Sequence, residues 1–469
     1  MTPVPPRTVD VVVIGSGSGG KMAAQELARQ GRRVALVEDT RVGGFCPYLS
    51  CVPAKSMLLS AHAGIPFDEA VRVREEAVAG RDDAGAVEGL GADGVQLVRG
   101  RGRLLPGRPL TVEVDLPGGR AERLRSGTVV LAAGSTPVRP PVDGLDDVPT
   151  WTSEDALSAT ERPGRLLVLG GGSVGCELSQ AYAGLGSEVV LVERDEQLLP
   201  GEARWVGDFM AGTLRGSGVE VRTGVTARRA EPDGRGGAVV HLDDGGEVRA
   251  DRVLVAGGRS PRTQNLGVEA AGGSLDDSGA VRIDSRCRVL SPQGRPVPGL
   301  YAVGDVTGVS TYTHSANMQA RVLAENAAGR DRETDYAAVP RAVYTAPPVF
   351  CVGMTAAQAR RAGHDVDSEM FPLGQLERAN LIGIGCGDEV PGGVEVVVDA
   401  TTGVVLGAAC AGREADSWGA ELALAVRARL DVDLLEEHVR GFLTWSEAVY
   451  PAVAELRRRR LERAQRAAA

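Results

Sequence analysis

A chain of 469 residues is too long for one hydrophobic core, and two to four domains are expected of it. Its composition, 43% hydrophobic and 24% charged, is that of a globular protein in water, and no apolar stretch reaches the ~18 residues that span a bilayer. A net charge of −10 argues against a nucleic-acid partner, which would need a basic surface. The proline-rich start, Met1 to Arg7, lacks the basic-then-apolar plan of a secretion signal, so a cytoplasmic setting is expected. Seven dispersed cysteines make no disulfide framework there, and most are expected to be buried as small apolar residues. Lysine occurs only at Lys21 and Lys55, in a chain otherwise biased to arginine. That singles out Lys55 for a task needing a compact ammonium.

In chain order, the apolar run Val9 to Ile14 predicts a strand that ends in Gly15-Ser16-Gly17-Ser18-Gly19-Gly20. A helical pattern follows over 22–29, then a second apolar run, Val34 to Val37, closing on Glu38. Gly15, Gly17 and Gly20 let the backbone approach a pyrophosphate at the helix N-terminus, and Glu38 stands where a carboxylate accepts ribose hydroxyls. Next comes Gly43-Gly44-Phe45-Cys46-Pro47-Tyr48-Leu49-Ser50-Cys51-Val52-Pro53-Ala54-Lys55. Cysteines five positions apart can close a disulfide if the segment turns, and a helix N-terminus lowers a thiol's pKa. A structural disulfide is disfavoured in a reducing cytosol, and a metal pair would need two more ligands nearby, none of which is apparent. The pair is therefore read as redox-active, and no metal is expected.

The first arrangement then recurs. Leu166 to Leu169 lead into Gly170-Gly171-Gly172-Ser173-Val174-Gly175, a helix, and Val189 to Val192 ending at Glu193, at the same interval from first glycine to acid. Two full strand–turn–helix–strand–acid units predict two dinucleotide sites, with Gly170, Gly172, Gly175 and Glu193 in the second. The strands running into Gly134 (VVLAAG) and Gly258 (VLVAGG) each read as closing one nucleotide-binding domain. A later strand ends in Gly304-Asp305, where Asp305 could bond polyol hydroxyls. The arginine run Arg457 to Arg460 reads as the solvated end of a C-terminal helix.

Cys46-x4-Cys51 with Pro53 and Lys55, the two dinucleotide motifs and Gly304-Asp305 together resemble the FAD- and NAD(P)-dependent pyridine nucleotide-disulfide oxidoreductases, the flavoprotein disulfide reductases. The likeness runs from about 9 to 455, and Val339 to Pro347 with Val352 to Thr355 resembles the start of the family's C-terminal interface domain. The resemblance implies an α/β fold with two Rossmann-like domains and a C-terminal α+β dimerisation domain. Its implied order is FAD domain 1–150 and 273–337, NAD(P) domain 151–272 and interface domain 338–469. It further implies that Gly15, Gly17, Gly20, Glu38, Gly44, Gly134 and Asp305 bind FAD, while Gly170, Gly172, Gly175, Glu193 and Gly258 serve the nicotinamide cofactor. By the same resemblance Cys51 lies against the flavin and Cys46 attacks the substrate. Lys55 stands near the flavin, kept charged by Glu177. A homodimer with a shared active site is implied as well.

The pattern breaks near the C-terminus. The family's His-Pro-Thr-x-x-Glu becomes Phe442-Leu443-Thr444-Trp445-Ser446-Glu447, which keeps the glutamate and puts a ring that transfers no proton at the histidine position. His438, four residues earlier, is a poor substitute. Mercuric reductases also have an aromatic residue there, but they end in a vicinal cysteine pair, whereas no cysteine follows Cys410. The carbanion-handling carboxylase branch also has phenylalanine there, but replaces the glutamate. In the redox motif Phe45 stands for threonine, and Tyr48 either offers a proton or packs against the pocket wall. Arg262 replaces an asparagine. Glu193 favours NADH over NADPH, since a carboxylate there repels a 2′-phosphate, although Arg194 adjoins it. The expected activity is hydride transfer from NAD(P)H to FAD and on to Cys46–Cys51, reducing a small disulfide or other thiol-reactive electrophile. The alternatives are direct flavin-to-quinone transfer, or an atypical carbanion-handling or metal-ion-reducing relative.

Overall fold

The computed structural model describes residues 6–387 and 389–468. Most of the proline-rich start lies outside these residues, and so does Ala469. Within them the chain divides into two compact units. One comprises 6–53, 72–138 and 258–336; the other comprises 54–71, 139–257, 337–387 and 389–468.

The first unit is built on a sheet whose order is Arg288–Leu290, Pro296–Ala302, Thr128–Leu131, Val11–Ile14, Val34–Glu38, Gln96–Arg99. All its pairings are parallel except that of the first two strands. Val11–Ile14 is buried on both faces, which is why it reads as an unbroken β-branched run rather than an alternating one. The helix Ser18–Arg29 crosses from that strand to Val34–Glu38 and buries Ala23, Ala24 and Leu27 with Ala320, Leu323 and Ala324 of the helix Thr313–Ala327. On the other face a four-stranded sheet, including Arg101–Leu105, Leu110–Asp115 and Ala121–Ser126, closes a core of Val12, Ile14, Leu104, Val112, Leu124 and Leu300.

The second unit contains a five-stranded parallel sheet in the order Thr150–Trp151, Arg252–Val255, Arg165–Leu169, Glu188–Glu193, Glu220–Thr223. The helix Ser173–Gly184 makes the crossover and buries Cys176, Leu178, Ala181 and Tyr182. A three-stranded antiparallel meander, Ala227–Pro232 to Glu247–Ala250, covers Leu167, Leu169 and Val253. The C-terminal part is a five-stranded antiparallel sheet centred on Val405–Ala411, backed by the helices Ala420–Ala428 and Val449–Ala468.

The arginine run lies in that last helix as expected, but it is not merely solvated. Arg457 and Arg460 pair with Asp433, Arg459 with Glu369, and Arg458 with Glu455. Acidic residues on neighbouring elements and, for Arg458, on the same helix turn the run into an ion-pair seam. Among the described residues no helix is long and apolar enough to cross a membrane.

Candidate functional site

The two glycine turns are built alike, each within its own unit. Gly15 has φ +97°, and a Cβ there would lie 2.3 Å from the Ala132 carbonyl oxygen; one on Gly20 would lie 2.0 Å from the Gly15 oxygen. Gly170 has φ +116°, and the matching contacts are 2.5 Å to Ala256 O and 1.8 Å from Gly175 to Gly170 O. These four glycines are required by the protein's own packing. Gly17 and Gly172 differ, since a Cβ on either would meet nothing within 4 Å. Each is the N-cap of its helix without a side-chain cap, so open space faces unsatisfied amide groups at both positive helix ends. Both turns therefore fit a pyrophosphate.

The carboxylates at the ends of the second strands are both 7% exposed but differently committed. Glu38 Oε2 accepts from Ser16 N–H (2.9 Å) and Ser16 Oγ (2.6 Å), and Oε1 accepts from Thr40 N–H and Oγ1 (both 2.8 Å). A ribose would reach it only by displacing a hydroxyl. Glu193 accepts from Gly171 N–H (2.5 Å) and Asp195 N–H (2.9 Å), which leaves each oxygen acceptor capacity. Asp305 follows the strand Pro296–Ala302 and its Oδ2 accepts from Ser135 Oγ at 2.6 Å; Arg259 Nε donates to the same Oγ at 2.8 Å. Gly134 and Gly258 both have positive φ with open space around them. The link from Arg259 through Ser135 to Asp305 had no sequence signal.

The cysteine segment follows from two positive-φ glycines. Gly43 (φ +112°) and Gly44 (φ +69°) turn the chain into a short helix, Phe45–Tyr48, and a second helix, Cys51–His62, starts three residues later. Gly44 sits against the first glycine turn, where an added Cβ would lie 2.8 Å from Gly17 Cα. Cys46 and Cys51 are half-buried. Ser50 Oγ lies 3.6 Å and Thr313 Oγ1 4.0 Å from Cys51 Sγ. Tyr48 is buried and donates to the Val42 carbonyl at 3.2 Å, so its proton is spent inside the protein; burial also raises its pKa. The guanidinium groups of Arg259 and Arg262 both lie over the Phe45 ring, each 5.4 Å from its centroid. Two departures from the family pattern thus touch each other. Of the other five cysteines Cys386 is exposed, and the remaining four behave differently. Cys176, Cys287, Cys351 and Cys410 are buried, and burial pushes their thiols up, Cys287 to about 12. They are inert by that criterion.

In the second unit Lys55 and Glu177 are brought together. Lys55 Nζ lies 2.7 Å from Glu177 Oε2, while Oε1 accepts the Tyr344 N–H at 2.9 Å and the ammonium sits 4.5 Å over the Tyr344 ring. Tyr344 was not singled out in the sequence. Phe442 is 74% exposed. Glu447 Oε2 accepts the Thr444 N–H at 3.0 Å, as half of a capping box. His438 is exposed.

Residues 9–320 match the family model described as pyridine nucleotide-disulphide oxidoreductase, and residues 339–453 match that family's dimerisation domain. The chain belongs to this family. It is 34% identical to a dihydrolipoyl dehydrogenase of Thermus scotoductus, over 96% of the chain and 98% of the relative. It is 31% identical to a mercuric reductase of Acidithiobacillus ferrooxidans, over 94% and 82%. Among solved structures it is similar to the Cu(II) complex of the HOCl-induced flavoprotein disulfide reductase RclA from Escherichia coli. The TM-score is 0.84 at 27% identity, over 96% of this chain and 99% of that one. The chain is accordingly a flavoprotein oxidoreductase of the α/β disulfide-reductase fold, with FAD as the family's cofactor and a C-terminal dimerisation domain.

Proposed function

We propose that this chain uses NAD(P)H to reduce the Cys46–Cys51 pair, which in turn reduces a small disulfide or another thiol-reactive acceptor. The observation that carries this reading is the placement of Cys51. It is half-buried at the N-terminus of its helix, beside two hydroxyls, in the same unit as the open turn at Gly17. The helix dipole there favours a thiolate. FAD, when bound, supplies the hydride acceptor that links the nicotinamide to this pair.

In this reading Gly15, Gly17 and Gly20 shape the FAD turn, and Gly44, Gly134 and Asp305 line it. Gly170, Gly172, Gly175 and Gly258 serve the nicotinamide cofactor, and the open acceptors of Glu193 favour NADH. Lys55 is the ammonium that the family resemblance assigns to the flavin, and Glu177 pairs with it and fixes its position. Cys51 is the flavin-side sulfur and Cys46 the one that meets the acceptor. Residues 1–150 and 273–337 form the FAD domain, 151–272 the NAD(P) domain and 338–469 the interface domain of a cytoplasmic homodimer. Tyr48 acts as wall rather than acid, since its hydroxyl is engaged. Glu447 holds the turn that carries Phe442.

A second reading is direct transfer from flavin to a quinone-type acceptor, favoured by Phe442, an exposed ring with no proton to give. Anaerobic titration with NADH and with NADPH separates the two. A long-wavelength charge-transfer band after two electrons, with the flavin still oxidised, supports the dithiol route. Immediate bleaching without that band would sink it in favour of direct transfer.

A further inference from the structure

Position 442 carries a phenylalanine, so this chain lacks the imidazole that its resemblance would place there, and Glu447 is engaged by the Thr444 amide. A thiolate at Cys51 must then be held by other groups. The structure puts two hydroxyls at its sulfur from separate parts of the chain. Ser50 Oγ, at 3.6 Å, belongs to the preceding residue; Thr313 Oγ1, at 4.0 Å, is from the first residue of the helix Thr313–Ala327. The Ser50 separation is that of a hydroxyl-to-sulfur hydrogen bond, and the Thr313 separation lies at its outer limit. A hydroxyl can donate to an ionised sulfur without carrying charge, and donation to the charged form stabilises it.

We propose that Ser50 and Thr313 are positioning residues that donate hydrogen bonds to the Cys51 thiolate, sustaining it where position 442 offers no base. The proposal rests on the reading of Cys51 as the flavin-side sulfur. The titratable groups nearest to these residues along their elements have engagements of their own. Tyr48 donates to the Val42 carbonyl, Lys55 is paired with Glu177, and the exposed His314 ring stacks on Tyr312 at 5.2 Å; Cys46 is the reaction partner. A consequence is that the thiolate persists without a titrating imidazole, so reduction suits acceptors that need no proton from the enzyme on leaving.

The test is a pH titration of the charge-transfer band in the two-electron-reduced holoenzyme, for the natural chain and for Ser50→Ala, Thr313→Val and Ser50→Thr. Removal of the Ser50 hydroxyl is expected to raise the midpoint of band loss by about one pH unit, a tenfold change in the thiol–thiolate ratio. The band should also move to longer wavelength, because an unsupported thiolate gives up an electron more readily. Thr313→Val should shift it less, and Ser50→Thr should restore it. Midpoints for Ser50→Ala and Thr313→Val within about 0.2 unit of the natural chain would overturn the proposal while leaving the assignment of Cys51 intact. A natural chain with no band at any pH would overturn both.

Discussion

Lys55→Met should destabilise the protein more than Glu177→Gln, although the two changes break the same ion pair. The Glu177 side chain is 8% exposed and that of Lys55 33%, with 2.7 Å between the charged atoms. At an effective dielectric of ~20, charges about 4 Å apart attract by about 4 kcal/mol, but much of this is offset by desolvation. The asymmetry decides the outcome. Methionine at 55 strands a buried carboxylate that keeps only the Tyr344 N–H, and stranding a buried charge costs about 3–5 kcal/mol. The retained amide bond puts the expected loss at the low end, about 3 kcal/mol. Glutamine at 177 is isosteric and leaves an ammonium that can turn towards water, for a loss of about 1–2 kcal/mol. At roughly 2–4 °C per kcal/mol for folding units of this size, thermal unfolding of the holoenzyme should drop by about 6–12 °C and 2–8 °C respectively. The double variant removes the stranded charge, so it should lose at least about 1 kcal/mol less than the sum of the single losses. The reasoning is refuted if Glu177→Gln costs as much as Lys55→Met, or if the two changes add within about 0.3 kcal/mol.

Further expectations follow from the same geometry. Cys46→Ser should abolish turnover of a disulfide acceptor while NADH still reduces the flavin; undiminished acceptor turnover would reassign that sulfur. Glu193→Gln removes the charge that repels a 2′-phosphate, and the ratio of kcat/KM for NADPH to that for NADH should rise about tenfold; a constant ratio would place discrimination elsewhere. The backbone amide of Thr402 and the His364 ring hold Asp399 below its ordinary value of 3.8, against the opposing effect of burial. A lowered carboxylate stabilises the folded state above the unfolded-state pKa and loses that contribution as pH falls through the folded one. Asp399→Asn should therefore destabilise at pH 7 and converge with the natural chain below about pH 4 in equilibrium or thermal unfolding. In a double-mutant cycle, Phe45→Thr and Arg262→Asn should show a coupling of about 0.5–1 kcal/mol, the size of one cation–π contact; strict additivity would show the contact to be idle.

Much of the fold was legible because its signals are local. A doubly buried strand has to be apolar throughout, and a turn whose backbone packs on the next strand has to be glycine. Gly15, Gly20, Gly170 and Gly175 could thus be found by spacing alone. Contacts between distant residues were not legible in this way. Thr313 lies 262 positions from Cys51, and nothing in its own neighbourhood marks it. Phe45 and Arg262 each stood out as departures, but only the fold shows that one lies over the other. Glu447 was readable as the survivor of a signature, yet the structure engages it with the first amide of its own turn, as a Glu three residues after a threonine N-cap would do in any protein.

The two nucleotide turns show most clearly where spacing stops being informative. Glu38 and Glu193 occupy the same position relative to their glycines, and each accepts the backbone amides of the equivalent residues, Ser16 and Thr40 in one case, Gly171 and Asp195 in the other. The difference lies in the side chains at those positions. Ser16 and Thr40 add hydroxyls that fill the remaining lone pairs of Glu38, while Gly171 has no side chain and Asp195 has no donor to offer a second carboxylate. A motif search scores these positions as equal, but their capacity to meet a sugar hydroxyl is not. It follows that cofactor choice should respond to position 193 far more than cofactor retention responds to position 38. Ser16→Gly, by unmasking Glu38, should tighten FAD rather than release it. Equilibrium titration of FAD into the apoprotein of that variant checks the argument, and weaker binding than in the natural chain would show that the Ser16 hydroxyl serves the cofactor directly.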